Sequence, residues 1–292
     1  MVTDRESITA KLCAFARAWH SYHSRDKIYD DYLAFDLLGK EEYESVYRQI
    51  LDGLIDSQKL MKEQAEQVIG EYLAPIPLSR ILFSEERLLR FAGEHKRIQY
   101  VILGAGGDTF GFRNDNPDIE IYEVDHPDTQ RYKLDRIREL EWVIPANVHH
   151  VAVDFERERM HEKLLEAGFD PEVKSFFSIL GVTYYLTMEQ LSNTLEEISA
   201  LSIRGNELVF DYPIKGEDFP GRVEQLEKLT ASLGEEMCQG FEHYQIHCML
   251  CRCGFQIRTF YWPHQVQAVY FDGKKDRLRA FENVSLIAAR CL

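Results

Sequence analysis

A glycine-rich segment that follows an apolar run is the part of this sequence best suited to bind a ligand. The run Val101–Leu103 leads into Gly104, Ala105 and Gly106. Glycine allows a tight turn and lets a ligand approach the backbone closely. In an α/β sheet, ligands bind at the carboxyl ends of the strands, where such a turn would lie. The segment therefore predicts a binding loop, and a turn with a purely structural role stays open as the alternative.

An acid in the next apolar run indicates what this loop would bind. Asp125 follows Gly104 by about 20 positions, the spacing at which a carboxylate accepts hydrogen bonds from both hydroxyls of a ribose. Dinucleotides and S-adenosylmethionine both carry a ribose. A dinucleotide also needs space for its pyrophosphate and a third small residue, but Asp108 and Thr109 stand at these places. The pattern favours S-adenosylmethionine, and an NAD(P)-dependent oxidoreductase is the less favoured alternative.

Histidines and cysteines cluster between His243 and Cys253. On a helix, His243, His247 and Cys251 would share one face, as zinc ligands do. No second C-x-x-C accompanies them, so we interpret the cysteines as small buried apolar residues. The sequence predicts no metal site.

Short apolar runs alternate with amphipathic stretches from residue 97 onward. This alternation is typical of an α/β protein with a doubly wound, mostly parallel sheet and helices on both faces. Two later runs would complete a sheet of seven strands. The predicted strands are 100–103, 119–124, 148–153, 175–180, 207–210, 255–261 and 284–289, and the predicted helices between them are 127–139, 156–167 and 188–200.

The residues before this sheet are predicted to form a helical cap. Apolar residues within 43–55 recur three or four positions apart, which places them on one helical face. A second helical pattern covers 61–72. Pro75 and Pro77 then predict a break before the pattern resumes over 79–91. The predicted domains are an N-terminal helical cap at 1–96 and a sheet domain at 97–292, which includes a helical segment at about 213–250.

Charge and composition exclude several classes of protein. With 34 Lys+Arg against 49 Asp+Glu, the 292-residue chain has a formal net charge of −15, which disfavours binding to nucleic acids and to anionic membranes. No apolar run approaches the roughly 20 residues of a membrane span, and the six cysteines form no disulfide framework. We therefore expect a cytoplasmic protein that binds neither nucleic acid nor membrane, with its oligomeric state open. The acids of 207–242 are expected on a solvated helical face.

The order of motifs along the chain resembles the leucine carboxyl methyltransferase family, whose bacterial members include polyketide O-methyltransferases. The resemblance covers most of the chain and weakens after about residue 213. It implies a class I methyltransferase fold, which is Rossmann-like, and S-adenosylmethionine as the cofactor. The motifs that carry the resemblance are Leu103–Thr109 with Phe112 and Arg113, Glu123–Pro127, Lys133, Arg17, Asp30–Tyr32, Arg80, Val153–Phe155 and Gly181–Thr187.

The resemblance implies roles for residues at the ends of the predicted strands. Gly104 and Gly106 would face the methionine part of the cofactor, and Asp125 would bind the ribose hydroxyls. Asp154 and the backbone of Phe155 would hold the adenine, with the ring of Phe155 as apolar cover.

At the methionine end, the resemblance implies that Arg80 and Arg17 pair with the carboxylate of the cofactor. A planar guanidinium with a permanent charge suits that partner. Family members commonly carry a Glu just before Gly181, where this chain has Leu180. Leucine cannot attract the sulfonium or the ammonium group, so a non-catalytic S-adenosylmethionine-binding protein is the second hypothesis. We expect Leu180 close to the bound cofactor.

Methyl transfer to an oxygen, in a carboxylate or a hydroxyl group, is the activity that the resemblance implies. The acceptor would be a small molecule or a peptide carboxylate. Tyr184 and Tyr185 are candidates to contact it, with Tyr29 or Tyr32 as a lid from the N-terminal helices. A carboxylate is ionised at neutral pH and needs no base, whereas a phenol or an enol would benefit from one. We assign no general base from the sequence.

Overall fold

The computed structural model describes residues 8–58, 61–155, 157–216, 219, 221–232, 240–276 and 278–292. The helices are α1 (Ile8–His23), α2 (Ala34–Leu38), α3 (Lys40–Gln58), α4 (Lys62–Leu73), α5 (Pro75–Glu94), α6 (Phe110–Arg113), α7 (Pro127–Glu139), α8 (Met160–Glu166), α9 (Met188–Ala200), α10 (Gly221–Ser232), α11 (His243–Arg252) and α12 (Pro263–Val266). The strands are β1 (Ile98–Leu103), β2 (Ile119–Asp125), β3 (Val148–Ala152), β4 (Ser175–Ile179), β5 (Glu207–Pro213), β6 (Phe255–Tyr261) and β7 (Val284–Cys291). A 3-10 turn at Thr183–Tyr185 and a π-helical turn at Gln267–Phe271 complete the elements.

In the described part of the chain, seven strands form one sheet in the order β3-β2-β1-β4-β5-β7-β6. β7 pairs antiparallel with β5 and β6, and the other neighbouring strands pair in parallel. Every residue of β1 and β4 is buried, as is typical of central strands covered on both faces. The predicted fold class, a doubly wound and mostly parallel sheet of seven strands, is confirmed.

Two layers of helices cover the faces of this sheet. On one face, α8, α9 and α11 pack against the strands through apolar side chains such as Leu164, Leu195 and Ile246. On the other face, α5 and α12 do so through residues such as Phe91 and Val266. Apolar burial on both sides holds the strands in place and so fixes the position of their carboxyl ends.

A third apolar cluster joins the N-terminal helices. Phe15 of α1, Ile50 of α3 and Ile69 of α4 are fully buried in it. The helical patterns over 43–55 and 61–72 correspond to α3 and α4. Helix α10 packs onto the same cluster, which brings the later part of the chain against the N-terminal helices.

The break predicted at Pro75 and Pro77 is confirmed, but it is short, and the helix resumes before the predicted residue 79. Helix α5 begins at Pro75, and only Ala74 separates it from α4. Proline is tolerated in the first turn of a helix because its fixed φ suits the helix and its missing N–H would have no intrahelical partner there. The helix then runs to Glu94 and packs against the sheet. The domain boundary at residue 96 stays a prediction.

The prediction of a solvated acidic face is wrong for Glu207 and Asp211. Both residues belong to β5, an inner strand of the sheet, and both are buried. Arg87 holds the carboxylate of Glu207, with 2.8 Å between Nε and Oε1. Asp211 contributes to the site described below. Glu224, Glu227 and Glu242 are exposed as expected, and Glu217, Asp218, Glu235 and Glu236 lie outside the described residues.

Helix α8 is shorter than the predicted 156–167, because the residues after β3 form a turn in which the N–H of Asp154 donates to Glu158. Glu156 itself lies outside the described residues. The helical segment predicted at about 213–250 corresponds to α10 and α11, with 233–239 outside the description. No helix that the structure describes is both long and apolar enough to cross a membrane.

Candidate active site

The carboxyl ends of β1, β2 and β4 open into a cleft of about 390 Å³, within the ~300–1,000 Å³ typical of small-molecule sites. In the sheet, β2 and β3 lie on one side of β1, whereas β4 and the later strands lie on the other side. The strand order therefore switches between β1 and β4, and α/β sheets bind ligands at such a switch point. Gly104 has a φ of +72°, and a Cβ atom there would overlap Val182. Glycine is therefore required for the loop to pack closely against the segment after β4.

Asp125 ends β2 and lines this cleft. Its Oδ2 accepts a hydrogen bond of 2.5 Å from the N–H of Gly106, and its Oδ1 accepts one of 2.7 Å from the N–H of His126. Burial raises the pKa of Asp125, although these two N–H groups oppose the effect. Each carboxylate oxygen keeps a further lone pair, so Asp125 can accept two more hydrogen bonds. This arrangement suits the paired hydroxyls of a ribose.

Arg80 of α5 lies at the β4 end of the cleft, against Gly181. Its Nη1 donates to Oδ2 of Asp211 at 3.3 Å, and its Nη2 lies 3.0 Å from Sγ of Cys13. Burial alone would lower the pKa of Arg80, but Cys13 and Asp211 outweigh burial and raise it. The site therefore has a permanent cation at this end.

Asp211 is fully buried behind this arginine and holds the segment that follows β4. Its Oδ1 accepts a hydrogen bond of 2.7 Å from the N–H of Gly181, and its Oδ2 accepts one of 2.8 Å from the hydroxyl of Tyr184. The sequence analysis missed this residue. Its place near the end of a predicted strand is the signal that could have separated it from the surface acids.

Arg17 of α1 also lines the cleft, but the protein itself engages much of its guanidinium. Its Nε lies 2.8 Å from Oδ2 of Asp31, and its Nη2 donates to the carbonyl of Gly107 at 2.5 Å. Asp31 also accepts a hydrogen bond of 2.7 Å from the hydroxyl of Thr109. Arg17 and Asp31 thus attach the N-terminal helices to the glycine loop, and a role of Arg17 towards a ligand stays a prediction.

At the β3 end, the structure brings only one of the two predicted adenine contacts to the cleft. Phe155 lines it and is 50% exposed. Asp154 does not line it, and its Oδ2 lies 3.5 Å from Nε of Arg157. The carboxylate that lines this end is that of Glu158, which accepts a hydrogen bond of 2.9 Å from the N–H of Asp154. An apolar face for a base is therefore present, beside an acid that the sequence analysis did not single out.

The polar face of α9 forms a further wall that the sequence analysis missed. Gln190, Asn193, Thr194 and Glu197 line the cleft. In the sequence they look like the solvated face of an amphipathic helix. They recur three or four positions apart on the helix that directly follows the predicted strand 175–180. This spacing is the signal from which they could have been predicted.

The segment after β4 brings Leu180 to the cleft, as expected. Tyr185 lines the cleft too, and its hydroxyl lies 2.8 Å from Oγ1 of Thr9. Tyr184 lines a second, smaller cavity instead and donates to Asp211. Both tyrosines predicted near the acceptor therefore line the second cavity, and Tyr185 also lines the cleft.

The prediction of a lid formed by Tyr29 or Tyr32 is wrong. Tyr29 is buried, and its hydroxyl donates to Oε1 of Glu85 at 2.6 Å. The guanidinium of Arg113 lies 5.3 Å from its ring centre, which fixes the side chain inside the protein. Tyr32 is 60% exposed, and neither ring lines the cleft.

The cluster predicted on one helix does lie on α11, which ends at Arg252. Cys253 is buried, as interpreted, but Cys251 is exposed because it lies on the solvent side of that helix. The hydroxyl of Tyr212 lies 2.9 Å from Nδ1 of His243. Within the residues that the structure describes, no three His, Cys, Asp or Glu side chains come close enough together to hold a metal ion.

The sheet order with β7 antiparallel between β5 and β6, and the cleft at the switch point, define a class I methyltransferase fold. The model of the leucine carboxyl methyltransferase family matches residues 10–199. The chain belongs to this family, and it is an S-adenosylmethionine-dependent methyltransferase.

Relatives and solved structures agree with this assignment. YktD of Bacillus subtilis (strain 168), named as a candidate S-adenosyl-L-methionine-dependent methyltransferase, is 32% identical over 310 residues, covering 99% of each chain. A Mycolicibacterium vanbaalenii protein with the same kind of name is 36% identical over 114 residues, 39% of this chain and 38% of the relative. A candidate methyltransferase from Thermobifida fusca has a TM-score of 0.54 at 15% identity, covering 83% of this chain and 93% of that one. A DUF574 family protein from Streptomyces avermitilis has a TM-score of 0.56 at 14% identity, covering 84% of this chain and 97% of that one. Both solved structures therefore share the fold of this chain.

Proposed function

We propose that this methyltransferase acts on oxygen and that its acceptor presents a carboxylate, with a hydroxyl group as the second choice. Six described residues line both the cleft and the second cavity, and we call this set of residues the junction. Their chemistry carries the proposal. None of these described residues bears a carboxylate or an imidazole. The junction residues are Thr9, Cys13, Pro77, Arg80, Gly181 and Tyr185.

A junction without such a base suits an acceptor that is already ionised. Asp211 lies behind the junction, but three donors, from Arg80, Gly181 and Tyr184, already engage its carboxylate. A phenol would need a base to take its proton, whereas a carboxylic acid is ionised at neutral pH. The family description, a carboxyl methyltransferase, supports the same choice. The acceptor would be a small molecule or a peptide carboxylate, without a role for nucleic acid or membrane.

The residues of the cleft would bind and orient, and perform no proton transfer. When bound, S-adenosylmethionine supplies a methyl group on a cationic sulfur, whose transfer turns a carboxylate into an ester, leaves a neutral thioether and releases no proton. Holding the two reactants close and aligned can supply much of the rate enhancement of such a step. We assign Asp125 to the ribose hydroxyls, Phe155 to the adenine and Arg80 to the methionine carboxylate. Arg17 is the weaker candidate because Asp31 already engages it.

The acceptor class can be tested with methyl-labelled S-adenosylmethionine and a panel of carboxylic acids, phenols and amines. Mild alkali releases the label as volatile methanol from a methyl ester, but not from an ether or a methylamine. We expect volatile label with carboxylic acids and its loss in Asp125→Ala. Label found only in alkali-stable products of phenols or amines would show that the carboxylate assignment is wrong.

Leu180 favours a second candidate function, a protein that binds S-adenosylmethionine without turnover. Leucine lines the cleft where an acid could have attracted the cationic groups of the cofactor. Calorimetry with S-adenosylhomocysteine and the label assay distinguish the two functions. Tight binding without label in any acceptor, including small molecules extracted from the source cells, would favour the binding protein.

A further inference from the structure

A second cavity of about 60 Å³ lies beside the cleft and meets it at the junction. We propose that this cavity is the acceptor subsite and that it takes the apolar body of a compact monocarboxylic acid, with the carboxylate at the junction. The proposal rests on the proposed function, because it names the acceptor of that same site.

The wall of the second cavity is mainly apolar. Leu12 of α1, Leu73 of α4, Ile76 of α5 and Leu226 of α10 line it. An apolar group gains free energy on leaving water for such a wall. The hydroxyls of Tyr72, Tyr184 and Thr230 also line the cavity, but each already donates a hydrogen bond within the protein. A second charge on the acceptor would therefore lose its hydration there without a counter-charge. The acceptor is therefore apolar apart from its reacting end.

Charge selects the kind of reacting group. Arg80 is the one charged residue among the described residues that line the second cavity, and it lies at the junction. Asp211 balances it from behind but does not line the cavity. Arg80 keeps N–H donors beyond those to Asp211 and Cys13, so it could face both the methionine carboxylate and an acceptor carboxylate, whereas an ammonium at the junction would face a like charge. The cavity therefore favours an acid over an amine of the same shape.

The dimensions of the second cavity limit the size of the acceptor. Its volume is about 60 Å³, against about 390 Å³ for the cleft. The hydroxyl of Tyr72 on α4 donates to Gln225 on α10 at 2.5 Å, which joins two of the helices that form the wall. A short or branched aliphatic group fits such a space, whereas a long acyl chain would extend beyond it and leave most of its apolar surface outside this wall.

Calorimetry on the full chain saturated with S-adenosylhomocysteine tests this subsite. The probes are 4-methylpentanoate, the amine of the same skeleton, hexadecanoate and a short peptide that ends in leucine. We expect 4-methylpentanoate to bind at least tenfold more tightly than each of the other three. Leu226→Trp, which fills the cavity, should weaken this binding at least tenfold, while Glu227→Trp at the exposed neighbouring position should not.

Binding of S-adenosylhomocysteine by each variant serves as the check of folding, and Leu73→Phe on α4 serves as a second variant of the wall. No binding of the short acid, equal binding of the amine, or unchanged acid binding in both wall variants would overturn the subsite. Tighter binding of hexadecanoate or of the peptide would overturn the compact acceptor.

The subsite and the proposed function can fail separately. If short acids bind with the expected pattern but receive no alkali-labile label, the subsite stands and carboxylate methylation is wrong. If acids receive the label and Leu226→Trp is as active as Glu227→Trp, carboxylate methylation stands and the subsite is wrong.

Discussion

The guanidinium of Arg80 and the carboxylate of Asp211 are both buried, with 3.3 Å between Nη1 and Oδ2, although 131 positions separate them in the sequence. Gly181 and Tyr184 donate to the same carboxylate. This one acid therefore connects α5 to the segment after β4 and supplies the counter-charge for the cation at the junction. The charge that faces the ligand depends on a residue that the ligand does not touch.

Removing that counter-charge should be costly. Asp211→Ala leaves Arg80 buried without its partner, and breaking a buried pair in this way typically costs about 3–5 kcal/mol. Tyr184→Phe removes only one neutral donor from the same carboxylate and should cost about 1 kcal/mol. Urea unfolding of the two variants and the wild type measures both values. Equal losses in the two variants would show that the ion pair contributes nothing beyond an ordinary hydrogen bond.

Asp125 should control the affinity for the nucleoside. Asp125→Ala removes an acceptor for two ribose hydroxyls, and the loss of about 3 kcal/mol would weaken binding of S-adenosylhomocysteine roughly 100-fold. Asp135→Ala, an exposed acid on α7, is the matched control and should leave the affinity unchanged. Calorimetry gives both dissociation constants. An unchanged dissociation constant in Asp125→Ala would mean that the ribose lies elsewhere.

The sequence was sufficient to predict the sheet and the position of Asp125 at the end of a strand. Strands such as β1 and β4 are buried on both faces, so they read as continuous apolar runs that periodicity analysis detects. Asp125 follows the glycine loop at a spacing that the geometry of a strand, a helix and a strand imposes. Both signals are local, and both survive without knowledge of the tertiary structure.

Other parts of the site depend on contacts that a sequence does not display. Asp211 belongs to an acidic stretch, and only the packing of β5 inside the sheet and the approach of Arg80 make it a buried partner. Asn193 and Glu197 belong to a polar helical face that would be solvated on a simpler protein, but here it faces the cleft. Asp154, in contrast, matches a family motif and yet lies beside Arg157 outside the cleft wall.

Stability should fall in mild acid because of a buried histidine in α1. Nε2 of His20 accepts a hydrogen bond of 3.1 Å from the N–H of Ile28, so the folded protein needs this nitrogen unprotonated. Burial lowers the pKa of His20 below its ordinary value of 6.5. The unfolded chain then binds more protons than the folded protein below about pH 6.5, so stability decreases as the pH falls from there towards the folded pKa.

His20→Gln tests this account, since glutamine offers an acceptor oxygen and does not titrate in this range. Urea unfolding at pH 7.5 and pH 5.5 should show a smaller loss of stability on acidification in the variant than in the wild type. The same loss in both proteins would mean that other groups are responsible for the acid sensitivity.

Leu180→Glu should strengthen the binding of S-adenosylmethionine. Leu180 lines the cleft beside Gly181, so an acid there would face the cationic groups of the cofactor. A partly exposed ion pair contributes up to about 1 kcal/mol, which corresponds to roughly fivefold in affinity. The neutral variant Leu180→Gln has a similar shape and should leave the affinity near that of the wild type. S-adenosylhomocysteine lacks the charge on sulfur, so a larger gain for S-adenosylmethionine would place the new carboxylate near the sulfonium, and equal gains would place it near the ammonium group. If Leu180→Glu changes neither affinity nor turnover, Leu180 does not lie close to the bound cofactor.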